Sequence, residues 1–251
     1  MAFGSIGSFV GASNKTSGDP FTFNPLGQLN ANDIGILVVA KDNSSTTNNS
    51  DNNEIVGVTD TVGNTWSEVK EITSTDGAAE DGTTVGVYYT KATTSLATAQ
   101  TITADFVSAI TAKAISGWKF SVGAGNTVSI VGIWTRVEPD DTDFGSIIAS
   151  GLPSQEYLFF RGDAGETGGG NGYTSTLGYT PLLNASTAGA GVRTNQFASG
   201  EFKIFNGTGE TSDPLAAIVA GNKASAFIVF KEVAPTVGTV QPLLTLVGVG
   251  T

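Results

Sequence analysis

The sequence predicts an all-β fold: a two-sheet antiparallel sandwich, jelly-roll-like, with extended N- and C-terminal arms. Three observations carry this. Short runs rich in β-branched and aromatic residues recur along the chain between Gly, Asn, Asp, Ser and Pro clusters, the chemistry of strands and tight turns. Alternation is explicit in TITADF, where Ile102, Ala104 and Phe106 fall on one face and Thr101, Thr103 and Asp105 on the other. Helical periodicity nowhere exceeds about three turns; the best candidate is DPLAAIVAGNKA, where Pro214 starts a turn and Gly221 ends it. In a chain of 251 residues, roughly ten or more such strands make one domain whose packed sheets bury alternate residues.

Taken in order, residues 1–20 are small, polar and glycine-dotted, and read as an N-terminal arm that orders against something else. A β-sandwich domain follows over residues 21–233. It opens with FTFNPL and then Asp33 to Ala40, DIGILVVA, which is apolar enough for a central strand covered on both faces. The next thirteen residues, KDNSSTTNNSDNN, carry no apolar side chain and read as a solvated loop. VTDTVGNTWSEV then reads as two strands joined by a hairpin turn at Gly63 and Asn64, with Trp66 pointing into the core. VGVYYTKA, TITADF and KAISGWKF continue the pattern, and TVSIVGIW, EYLFFRGDA, GEFKIF and ASAFIVFKEV repeat it in the second half. From Ala234 the chain is apolar and uncharged. This C-terminal arm, residues 234–251, is expected to add a strand to a neighbouring subunit through Pro242, Leu243, Leu244, Leu246 and Val247, since a free tail of this kind is an aggregation hazard.

Composition narrows the chemistry. The formal net charge of −11, with twelve lysines and arginines scattered singly, disfavours nucleic acid and anionic lipid as partners. With no cysteine there is no disulfide, thiolate zinc site or cysteine nucleophile, and with no histidine there is no Ser-His-Asp triad or histidine-ligated metal. The opening MAFGSIGSFVGASNK lacks the basic and apolar regions of a secretory leader, and no later run is long enough for a membrane span, so assembly in a host cytoplasm is expected. A carboxylate pair remains conceivable, but Glu68 and Glu71 stand three apart on an expected strand and should face opposite sides. The expectation is a non-enzymatic protein without a cofactor.

Four local features invite a site reading. EPDDTD places Glu138, Asp140, Asp141 and Asp143 together; Asp140, Asp141 and Asp143 form a weak calcium candidate, against which stands a solvated acidic loop without the glycine and distal glutamate of an EF-hand. Arg161, Gly162 and Asp163 spell an adhesion triplet that abuts an apolar strand. Asn206 opens a glycosylation sequon, which needs a secretory route to be used. Asn43 to Asn53 and Gly168 to Tyr179 are candidate glycan-facing loops.

The order of segments resembles a β-sandwich domain of bacteriophage virion proteins. The matching elements are NANDIGILVVA, VTDTVGNTWSEV, VGVYYTKA, TITADF, KAISGW, LPSQEYLFFRGDA and the closing ASAFIVFKEV, which together span Phe21 to Val233. The resemblance implies a virion structural protein, a capsid decoration (cement) protein contacting a major capsid or tail protein, with a homotrimer as its state. The alternative it implies is a tail, fibre or spike subunit acting as a receptor- or glycan-binding module. It supplies no catalytic residues.

Overall fold

The computed structural model describes residues 3–166, 173–187, 195–216 and 220–235. The first half of the chain forms β1 (Gly4–Asn14), β2 (Phe21–Phe23), β3 (Ile34–Asp42), β4 (Ile55–Asp60), β5 (Ser67–Thr75), β6 (Gly82–Lys91), β7 (Ile102–Phe106) and β8 (Lys113–Ser121). The second half forms β9 (Thr127–Asp141), β10 (Ile147–Ala149), β11 (Gln155–Glu166), β12 (Tyr173–Thr174), β13 (Thr180–Pro181) and β14 (Ala185–Ser186). It continues with β15 (Gln196–Gly207), β16 (Glu210–Ser212), β17 (Leu215–Ala216) and β18 (Gly221–Val233). The protein is an all-β sandwich, and the described residues contain no helix. Of the helical turn expected at DPLAAIVAGNKA, Leu215 and Ala216 lie instead in a strand and Gly221 opens another, while residues 217–219 lie outside the described residues.

Strand order gives the architecture. Strands β1-β8-β3-β6 form a sheet that faces β2-β7-β4, the arrangement of a jelly roll, with β5 added at the free edge of β6. The second half repeats the plan in shorter form: β9-β18-β11-β15 make its large sheet and β10-β16 its small one, while β13 and β14 lie on β15. The two large sheets stack face to face. Ile34, Ile36, Val38, Val85 and Val87 of one meet Leu158, Phe160, Ala226, Ile228 and Phe230 of the other in a dry central layer. Leu37 and Val39 point the opposite way, onto the small sheet with Val58, Ile102 and Phe106, which is why every residue of β3 is buried. A β-carbon on Gly162 would sit 2.8 Å from Val87 and 2.9 Å from Val38, so glycine sets the closest approach of the two sheets.

Three expectations are corrected here. The segment read as a free arm holds β1, paired to β8 from Gly4 to Asn14, with Phe9 and Val10 both fully buried. Irregular register between Ser5 and Gly7 and between Ser8 and Val10 breaks the two-residue period that would have marked it as a strand. The Gly63-Asn64 turn is not a hairpin: β4 pairs with β7 and β5 with β6, in different sheets. Asp60 turns that corner, its carboxylate accepting from the Val62 and Asn64 amides and from Trp66 Nε1, each at 3.0 Å. Trp66 packs inward, as expected, stacked on Phe9. Of KDNSSTTNNSDNN, Lys41, Asp42 and Asn43 are buried, and the Asn43 amide donates to Ser45 O, Thr75 Oγ1 and Ala78 O, fastening the loop to the sheet.

The two halves share a buried polar device at the same place. At the start of β8, Lys113 Nζ donates to the carbonyls of Thr16, Gly18 and Ile110. At the start of β18, Lys223 Nζ donates to the carbonyls of Asp141 and Gly221. One residue earlier in each, a backbone N–H is received by a carboxylate at the end of the neighbouring strand: Ala112 by Asp42 at 3.1 Å and Asn222 by Glu166 at 2.9 Å. Lys113 ties the link that follows β1 to β8, and Lys223 ties the end of β9 to β18. Burial lowers Lys223 to about 8 from an ordinary 10.5. Between those values the unfolded chain holds a proton that the folded chain has released, so stability rises with pH across that window. In Lys223→Met that contribution is gone, and urea titrations at pH 8 and at pH 10.5 should show the stability difference moving in favour of the wild type at the higher pH.

Candidate functional site

The residues singled out in the sequence are, for the most part, built into the scaffold. Glu138 pairs with Arg136, the Asp141 carboxylate accepts the Thr142 and Asp143 amides, and the Asp143 carboxylate accepts the Phe144 amide at 2.7 Å. The acidic run therefore shapes the turn from β9 towards β10, and among the described residues no three acidic side chains converge as a metal site. The expected calcium candidate of Asp140, Asp141 and Asp143 is thereby dispersed.

Arg161 and Asp163 are fully buried, and their pairing removes the adhesion triplet from solvent. Alternation along β11 turns both side chains to the outer face of the second large sheet, away from the central layer that holds Phe160 and Ala164. Arg161 Nε donates to Asp163 Oδ1 at 2.7 Å; Nη1 donates to Gly145 O and Ser212 O, and Nη2 to Phe144 O and Ser225 Oγ. Tyr173 OH donates to Asp163 Oδ2, and Glu201 accepts from Ser212 Oγ and from both the amide and hydroxyl of Thr176. Burial pushes Glu201 upward despite these donors. This network fastens β16 and the segment after β12 over the sheet. Of the loop Gly168 to Tyr179, residues 168–172 lie outside the described residues; Tyr173, Thr176 and Tyr179 pack on the sheet, and Leu177 between them is exposed.

A second polar cluster joins the first large sheet to the loop after β3. Lys41 pairs with Glu54 in full burial, and Glu54 also accepts from Ser44 N, Ser45 N and Thr84 Oγ1. Burial raises Glu54, but the Lys41 ammonium and the donated hydrogen bonds outweigh it and hold the carboxylate below its ordinary range. A bulge between Glu68 and Lys70 puts Glu68 opposite Tyr88 and Glu71 opposite Gly86, so the two glutamates share a face, contrary to the alternation expected from their spacing. Both carboxylates are engaged: the two oxygens of Glu71 accept the Glu54 and Ile55 amides at 2.8 Å each, and Glu68 accepts from Tyr88 OH.

The longest strand among the described residues is an exposed edge on one side of the stack. β9 pairs with β18 and with no other strand among the described residues, and none of its fifteen residues is buried. Val131 and Ile133 are 39% and 40% exposed. Beside it runs the other edge strand, β5. Between the two edges lies a groove of about 250 Å³ lined by Thr65, Ser67, Tyr89, Thr90, Lys91, Thr127 and Val128. The Thr90 hydroxyl on this groove is buried and has no hydrogen-bond partner among the described residues. Val69, Tyr89, Val128 and Ile130 close the central layer here only partly. An exposed, apolar, unpaired edge is the geometry that accepts another strand. A second groove, of about 500 Å³, lies on the β10–β16 pair and its adjoining turns, lined by Ile148, Ser150, Thr208, Glu210 and Thr211. Sequence reasoning missed the β9 edge because TVSIVGIW reads like any interior strand; its place in the sheet is set by long-range pairing.

No family model matches the chain, and no curated protein or solved structure matches it.

Two outcomes test this account of the polar sites. Arg161→Ala leaves the buried Asp163 carboxylate without its cation and should cost about 3–5 kcal/mol in urea denaturation. Calcium added to chelator-treated protein should leave the melting temperature unchanged, because the carboxylates of Asp140, Asp141 and Asp143 do not converge.

Proposed function

We propose that the chain is a virion structural protein, a capsid decoration protein that stabilises a particle through contacts with its capsid or tail proteins and with copies of itself. The observation that carries the reading is the open β9 edge, long and uncharged over residues 127–135, beside two stacked large sheets whose outer faces are covered by small sheets and loops. The strand order 1-8-3-6 against 2-7-4 supports it, as does the resemblance of the segment order to virion sandwiches. In such a role many weak contacts repeated by symmetry hold the assembly, and rigid faces with one reactive edge suit that task. The arms named in the sequence reading enter unequally: β1 belongs to the sheet, while residues 236–251, with Pro242, Leu243, Leu244, Leu246 and Val247, lie outside the described residues.

A glycan-binding tail or fibre module is the second reading, favoured by the groove on the β10–β16 pair with its Ser150, Thr208 and Thr211 hydroxyls and the Glu210 carboxylate. Electron cryomicroscopy of purified particles tests the choice. The decoration reading expects density for this fold at regular capsid positions, and particles lacking the chain that break open at a lower temperature. Absence from the capsid, together with saturable sugar binding that is lost in Glu210→Gln, would select the second reading.

A further inference from the structure

We infer that the β9 edge binds the C-terminal segment, residues 243–251, of a second copy of this chain as an added antiparallel strand, so that the protein self-associates by exchanging tails. This rests on the reading of that edge as an assembly surface, but not on what particle it serves.

Complementarity of charge is the first argument. Residues 127–135 of β9, TVSIVGIWT, carry no charge, and Arg136, Glu138, Asp140 and Asp141 follow them. The segment LLTLVGVGT, residues 243–251, also carries no charge, and Pro242, which lacks an N–H, stands just before it. An apolar strand laid on this edge covers Val131 and Ile133 and completes the margin at Val128, Ile130 and Tyr89 that the fold leaves half closed.

The place where the tail leaves the domain favours a second molecule. Val233, the last residue of β18, lies opposite Thr127, the first of β9, so a tail folding onto its own edge runs parallel to β9. Every described strand pair is antiparallel, and parallel pairing is the weaker of the two. Its own edge lies only two strand spacings away, about 10 Å, whereas residues 234–242 reach roughly 30 Å when extended. A linker of that length carries the tail well past the near end of its own edge, far enough to enter another molecule's edge from the far end and pair antiparallel.

Sedimentation velocity of the full chain provides the test, using an edge variant, Val131→Lys with Ile133→Lys, and a tail variant, Leu244→Lys with Leu246→Lys. The wild type should associate, and each variant alone should weaken association at least about tenfold. An equimolar mixture should regain dimers, because the intact tail of the edge variant meets the intact edge of the tail variant. Unchanged melting temperatures establish that both variants fold, since the substituted edge residues are already partly exposed. A wild type that stays monomeric at high concentration, variants that associate as the wild type does, or a mixture that stays monomeric would overturn the inference. Particles decorated normally by a chain that fails these tests would leave the decoration reading standing and remove only the tail exchange.

Discussion

The contact on which the structure depends is the face-to-face packing of the two large sheets. Val38 and Val87 from one side and Gly162 from the other meet where no β-carbon fits on the glycine, and around them Phe120, Phe160 and Phe202 interlock at right angles. Each fully buried aliphatic or aromatic side chain in that layer contributes on the order of 1.5–3 kcal/mol. Since the first half of the chain supplies one sheet and the second half the other, neither large sheet is covered on its inner face without its partner. The stack makes one cooperative unit of two jelly-roll plans, and it explains why β3, β11 and β18 read as nearly continuous apolar runs.

Buried polar groups then fix which residues meet. Gln196 of the second half donates to Asp42 and to Gly82 O of the first, and accepts from Thr83. Lys113 and Lys223 hold loop carbonyls, Arg161 holds five oxygen acceptors besides Asp163, and Lys41 is held by Glu54. Such groups cost desolvation and add little net stability, yet a misplaced register would leave them unpaired at several kcal/mol each. Their contribution is therefore to specificity of fold: the apolar layers tolerate sliding in steps of two residues, and the ionic anchors do not. The recurrence of lysine and carboxylate at the same corner of both halves shows the device used twice.

With the faces covered, contact with other molecules falls to edges and rims. The acidic run at Asp141 and Asp143 caps its own turn, Glu71 holds two backbone amides, and Glu68 accepts from the Tyr88 hydroxyl. β9 is different in kind. It is long, uncharged over its first nine residues, and flanked by an incompletely closed margin of the core. A strand of this sort is normally protected by charge, proline or a covering segment, and here Pro139 and the charges stand only at its far end. Its openness is consistent with a protein that works by being joined.

The class of fold and the central position of Ile34 to Ala40 were legible in the sequence, because alternation and unbroken apolar runs are local signals. So was the inward packing of Trp66. Local patterns misled wherever one extra residue or one distant partner decided the outcome. Bulges hid β1 and turned Glu68 and Glu71 to one side, and an amide-rich loop proved to be held by Asn43 and Glu54. The doubled plan was invisible because its signature is strand order and two buried lysines, not repeated words. By itself the sequence determined that the chain makes strands, and which runs are apolar enough to be covered. Only the tertiary structure decided which strands are neighbours, which polar side chains are sealed between them and which edge stays open, since those follow from pairings between residues far apart in the chain.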